Sequence, residues 1–188
     1  LILNKNLILL KLGDNFNQPI EFNLLLETIK LGNNFNQPIE LNKNLKYLTF
    51  GDNFNQPIKL NENLETLYFG NSFNQSIQLN KNLNTIIFGN DFNQPIELTE
   101  NLTLVEFGNN FNQPIQLNKK LLKINFGNSF NQDLNISMFN RIIIGILNDD
   151  MITKFDNLLK INNIKYSIKS YYDKNINTLT MYDFNIGI

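Results

Sequence analysis

The residues that usually do chemistry are mostly missing from this sequence of 188 residues. It contains no His, no Cys and no Trp. That removes Ser-His-Asp triads, thiol nucleophiles, His/Cys zinc sites and disulfides together. The 17 acids are scattered, without the facing carboxylate pair that glycoside cleavage requires. Glu106 stands alone on its strand. Asp149-Asp150 could open a calcium loop, but no ligand series of the right spacing follows, so the pair reads as a helix start. Asn101-Leu102-Thr103 and Asn135-Ile136-Ser137 match the glycosylation sequon, a chance event in a chain with 38 Asn. The expectation is a non-catalytic protein with no cofactor and no metal.

Charge narrows the partners. Fifteen Lys and one Arg, Arg141, stand against 17 acids for a net charge of −1. Nucleic acid and anionic membrane surfaces both need a basic footprint, so neither is expected as a partner. No apolar run reaches the roughly 18 residues of a membrane span, and the first residues do not form a signal peptide. Together with the lack of Cys, these features lead to an expected cytoplasmic location.

What positions any site is a repeat. Seven of the nine glycines fall 19 residues apart, at Gly13, Gly32, Gly51, Gly70, Gly89, Gly108 and Gly127. Three residues after each comes a Phe followed by Asn-Gln, from Phe16 to Phe130. All five prolines follow those pairs, and only Ser76 and Asp133 break the column. A fixed period near 20 residues is the mark of a solenoid. Within a unit, Leu48-Thr49-Phe50 and Ile58-Lys59-Leu60 alternate with period two and read as two short strands. Gly51 is expected to end the first strand with a positive φ, Phe54 to fill the coil's centre, and Pro57 to open the second strand. Asn61-Glu62-Asn63 supplies the return turn. The fold class is therefore mainly β: a right-handed parallel solenoid of about eight coils of 19 residues.

The ends depart from the pattern. The chain begins inside a unit and without Met, so upstream coils are expected, with self-association through the open N-terminal end as a further expectation. Phe139 to Gly145 fits a degenerate eighth coil, with Arg141 and Ile143 in its outward strand positions. Residues 1–148 are read as the solenoid and 149–188 as a small α+β cap. Its parts are a short helix carrying Phe155, Leu158, Leu159 and Ile161, and a hairpin of Ile164–Tyr172 with Asn177–Phe184.

Phe-Asn-Gln-Pro-Ile, preceded by Leu-x-x-Leu-x-Phe-Gly, resembles the FNIP repeat of social amoebae and giant viruses of amoebae. The resemblance covers roughly residues 1–145, although family units commonly run 22 residues. The unit is also similar to a leucine-rich repeat, with Leu45, Leu48, Phe50 and Asn53 at the spacing Leu-x-x-Leu-x-Leu-x-x-Asn. The resemblance implies an interaction module, in some relatives joined to an F-box that recruits a ubiquitin ligase, and a location in the host cytoplasm if the protein is viral. A structural or self-assembling component, for example of a giant-virus particle, is the alternative.

The repeated columns are assigned to the fold. Asn17-Gln18 through Asn131-Gln132 are expected to stack as amide ladders, and the Phe column to form a core stack. Function should lie where the units differ. On the outer face of the first strand, Tyr47, Tyr68, Ile87 and Leu104 would occupy neighbouring coils as an apolar-aromatic patch, with Glu106 at its margin. Such patches anchor protein partners.

Overall fold

The computed structural model describes residues 3–135, 141–146, 150, 153–154, 157, 166–172 and 178–185. The chain winds as a β-solenoid. Each unit contributes one short strand: β1 Leu9–Lys11, β2 Thr28–Lys30, β3 Tyr47–Thr49, β4 Thr66–Tyr68, β5 Thr85–Ile87, β6 Leu104–Glu106, β7 Lys123–Phe126 and β8 Arg141–Ile146. These eight pair in parallel, each with the next. From Leu10 to Ile124 the ladder keeps a step of 19, so the middle residue of each strand faces inward. Leu10, Ile29, Leu48, Leu67, Ile86, Val105 and Ile124 form that buried column.

Behind the sheet stand two stacks of aromatic rings. Phe50, Phe69, Phe88, Phe107 and Phe126 lie nearer the strands, 5.3–5.8 Å apart between centroids. Phe16, Phe35, Phe54, Phe73, Phe92, Phe111 and Phe130 lie deeper, 6.0–6.3 Å apart. The larger separation farther from the sheet fits coils that fan, with the sheet on the inner side of the curve. From Phe35 onward every ring of the deeper stack is at most 1% exposed. The expected core stack is present, doubled from the third unit on.

Three local expectations need correction. None of the seven repeat glycines has a positive φ. Their role is close approach. A Cβ on Gly32, Gly51, Gly70, Gly89, Gly108 or Gly127 would fall 2.2–2.5 Å from the backbone of the coil before it. Second, Ile58-Lys59-Leu60 and its equivalents are not strands. On that side the coils are joined by amides: the backbone N–H of Asn55 donates to Asn36 Oδ1 at 2.9 Å, and Gln56 Nε2 to the same oxygen at 3.2 Å. The same pattern runs from Asn17 to Gln132. Pro57 gives up an N–H that this arrangement leaves without a ladder partner. Third, β8 is slipped by two residues from its expected place. Ile144 pairs with Ile124, and Ile143 and Gly145, not Arg141 and Ile143, pair with Lys123 and Asn125. A slip of two residues brings Ile144 onto the inward column, where it is fully buried.

In most return turns the leading Asn bonds its own chain as expected, but in the turn Asn61-Glu62-Asn63 the Asn61 Oδ1 is buried without a hydrogen-bond partner. Asn42 Oδ1 accepts from its own chain at Asn44 N (2.8 Å), and Asn80 and Asn118 do the same for Asn82 and Lys120. At the C-terminal end, β9 Tyr166–Tyr172 and β10 Thr178–Asn185 form the expected hairpin, and β10 pairs antiparallel with β8. The result is one ten-stranded sheet in the order β1 to β8, β10, β9. Asp150, Thr153, Lys154 and Asn157 are helical; Asp149, Phe155, Leu158, Leu159 and Ile161 lie outside the described residues. Lys154 Nζ reaches Asp133 Oδ1 at 2.6 Å, which gives the break in the proline column a partner. Nothing in the structure explains Ser76.

Candidate protein-binding face

The outward positions of the strands form two columns on one face of the sheet. The register sets Tyr47, Thr66, Thr85, Leu104 and Lys123 in one, and Thr49, Tyr68, Ile87, Glu106 and Asn125 in the other. Tyr68 and Ile87 are therefore directly paired. Tyr47 and Leu104 are not in line with them; they flank that pair diagonally, from the coils before and after. Tyr47 is 43% and Tyr68 36% exposed, whereas Ile87, Leu104 and Glu106 are half-buried. The patch is contiguous across coils three to six, with Thr66 and Thr85 filling the corner between its members.

Charges frame it. Glu106 Oε1 accepts from Lys123 Nζ at 3.1 Å and from Asn125 Nδ2 at 2.9 Å, so this carboxylate is tied to the next coil. Lys46 Nζ donates to Glu27 Oε2 at 3.1 Å. The hydrogen bond and charge of Glu27 hold the Lys46 ammonium above its usual range, with a smaller contribution from Glu65. Tyr47 Oη donates to Glu65 Oε2 at 3.3 Å, which leans the ring toward the return-turn side of the face. No group of three or more His, Cys, Asp or Glu residues that could hold a metal occurs among the described residues. No described helix is long and apolar enough to cross a membrane.

The most exposed apolar residues were not among those expected. Leu24 is 65%, Ile8 59%, Leu9 55% and Leu25 48% exposed, and Leu122 is 61% exposed near the other end. The signal was present in the repeat. The residues at the place of Leu24-Leu25 are Lys43-Asn44, Glu62-Asn63, Lys81-Asn82, Glu100-Asn101 and Lys119-Lys120 in the other units, polar throughout.

Asn101 of the first sequon is committed to the fold. Its Nδ2 donates to Lys81 O at 2.7 Å and its Oδ1 accepts from Lys120 Nζ at 2.6 Å. Of the second sequon only Asn135 lies within the described residues.

Known proteins place this architecture. Residues 35–72 and 92–119 match the FNIP Repeat family. The crystal structure of CroV588, described as a novel circular LRR protein and coming from a giant virus, superposes with a TM-score of 0.57 at 33% identity. The match covers 76% of this chain and 27% of that one, so the chain spans about a quarter of that protein's length. No curated protein matches the sequence. The two matched segments share one register of glycine, Phe-Asn-Gln and buried strand with the units around them, so FNIP repeats are matched over those segments within a leucine-rich-repeat-like fold.

Proposed function

We propose that this solenoid is a non-catalytic scaffold that binds a protein partner on the outer strand face of coils three to six. One observation carries the reading: Tyr47 and Tyr68, two exposed aromatic side chains, share a rigid face with Ile87 and Leu104. Tyrosine on a preorganised backbone offers large contact area for little ordering entropy. The test is capture from amoebal lysate by the wild-type chain and by Tyr47→Ala/Tyr68→Ala, with thermal unfolding as the control for fold. Loss of a captured protein at an unchanged midpoint supports the reading; an identical captured set removes it. Within the same reading, the family resemblance points to substrate recognition for a ubiquitin ligase. That narrower role predicts ubiquitylation of the captured protein only when the strand face is intact.

A second reading, a structural or self-assembling element, draws on the apolar corner of Ile8, Leu9, Leu24 and Leu25. It predicts concentration-dependent assembly by light scattering that Leu24→Lys/Leu25→Asn abolishes.

A further inference from the structure

Three lysines in the described solenoid obey one rule: each reaches back one coil to an acceptor. Lys46 meets Glu27 at 3.1 Å, Lys123 meets Glu106 at 3.1 Å, and Lys120 meets the amide oxygen of Asn101 at 2.6 Å. Glu65 stands in the same column as Glu27 and Lys46, 19 residues after Lys46. The residue one coil on from it, in the place that Lys46 holds over Glu27, is Asn84. The Glu65 carboxylate accordingly has no ion pair among the described residues, and among them it accepts only from Tyr47 Oη.

The space beside it is open and rich in acceptors. A groove of about 420 Å³ runs along the coils, lined by Glu27, Lys46, Glu65, Asn63, Asn82 and Asn84 among others. Asn63 and Asn82 spend their amide N–H groups on the carbonyls of Lys43 and Glu62, at 2.8 and 2.7 Å. Those bonds fix the amides, while their Oδ1 atoms accept nothing from the described residues. Asn101, in the same column, shows what such an oxygen takes up, because its Oδ1 holds the Lys120 ammonium. Along the strand-side column the signs run minus at Glu27, plus at Lys46 and minus at Glu65, and then the alternation stops.

We propose that the groove at Glu65 receives the ammonium group of a lysine side chain on the protein partner, between the Glu65 carboxylate and the amide oxygens of Asn63 and Asn82. The partner supplies the lysine that the chain's own pattern lacks at this coil. This rests on the strand face as the docking surface, since Tyr47 borders both. It adds the partner's chemistry: a lysine beside apolar residues that cover Tyr68 and Ile87.

The probe is a tri-lysine peptide capped at both ends, titrated into the full ¹⁵N-labelled chain. The side-chain amides of Asn63 and Asn82 and the backbone amides of Glu65 and Asn84 should shift together and saturate. Glu65→Gln should weaken binding roughly five-fold, the scale of one exposed carboxylate–ammonium contact. Asn84→Lys should weaken it as much, because it places a lysine over Glu65 as Lys46 lies over Glu27. Glu97→Gln makes the same change in net charge away from the groove and should leave binding unchanged, and the Nε-acetylated peptide should not bind. Equal binding by the wild-type and Glu65→Gln chains, or equal weakening by Glu97→Gln, overturns the proposal. Tyr68→Ala separates this from the broader reading. A chain that takes tri-lysine through Glu65 but captures its protein partner equally well after Tyr68→Ala keeps the lysine site and refutes the strand-face interface. The reverse pair of results keeps the interface and overturns the lysine site.

Discussion

Gly70 packs so closely on Gly51 of the preceding coil that a Cβ built on it would lie 2.3 Å from the Gly51 carbonyl oxygen. It would also sit 2.5 Å from Asp52 Cα, and because these nearest atoms are all backbone, no flexible group can move aside. Coil spacing is thus set by the absence of a side chain. Gly70→Ala must push two coils apart, which should cost about 2 kcal/mol or more. Gly13→Ala is the control, because a Cβ there meets nothing within 4 Å and should change stability by less than about 0.5 kcal/mol. Urea denaturation of the two variants checks both numbers. Equal effects would mean that the repeat glycines act through chain entropy and not through contact.

The Phe73 ring centroid lies 3.7 Å from that of Phe69 in its own coil and 6.1 Å from those of both Phe54 and Phe92, with these three rings within 9° of parallel to it. Phe73→Ala therefore opens a void in the middle of two stacks and should cost about 3–5 kcal/mol. Phe73→Leu keeps most of the volume and should cost less than half of that. Thermal unfolding that ranks the two in the opposite order would contradict the packing described.

Asn55 Oδ1 accepts from Asn74 N at 2.9 Å and Gln75 Nε2 at 3.1 Å, with Asn55 partly buried. Asn55→Ala leaves both donors of the next coil unpaired and should cost about 2 kcal/mol. Asn55→Asp keeps the acceptor and should cost less at pH 7. The two N–H donors favour the charged form of that carboxylate, so its folded pKa falls below the ordinary value near 3.9. The stability it restores is present above that value and is lost as pH falls through the folded pKa. Denaturation at pH 7 and pH 3 reads the difference, and an Asp variant no more stable than the Ala variant at pH 7 would argue against the acceptor role.

Much of this was legible because the period is fixed. Residues 19 apart must stack, so the buried column from Leu10 to Ile124, the Phe54 column and the Asn55 ladder follow from spacing alone. What failed to show has physical reasons. A glycine reads the same whether it supplies a positive φ or a close contact, and the contact at Gly70 lies between coils. Ile58-Lys59-Leu60 alternates like a strand, yet alternation reports which side is buried and not which atoms satisfy the backbone; here Asn side chains do so. The two-residue slip of β8 puts one isoleucine in place of another on the inward column and leaves no mark in the sequence pattern. On the candidate face, the columns placed Tyr47 and Tyr68 outward, but nothing in them indicated that Glu106 would be tied to Lys123 and Asn125 while Glu65 has no ion pair among the described residues.

The hairpin β9–β10 yields the last prediction. A parallel solenoid leaves a row of unpaired N–H and C=O groups on its final strand, and such edges recruit other chains. Here β10 covers β8 along six residues, from Arg141 opposite Asn185 to Ile146 opposite Thr180. It runs antiparallel, so the sheet changes from parallel to antiparallel pairing where the coils stop. Removing residues 149–188 should uncover the β8 edge while leaving the stack from Phe16 to Phe130 with all of its ring contacts. The truncated chain should therefore keep the β signature in circular dichroism but self-associate through the edge, with light scattering that rises with concentration. If it instead stayed monomeric at concentrations where the full chain is monomeric, β8 would be protected by its own sequence, and the hairpin would be an appended module with a separate task.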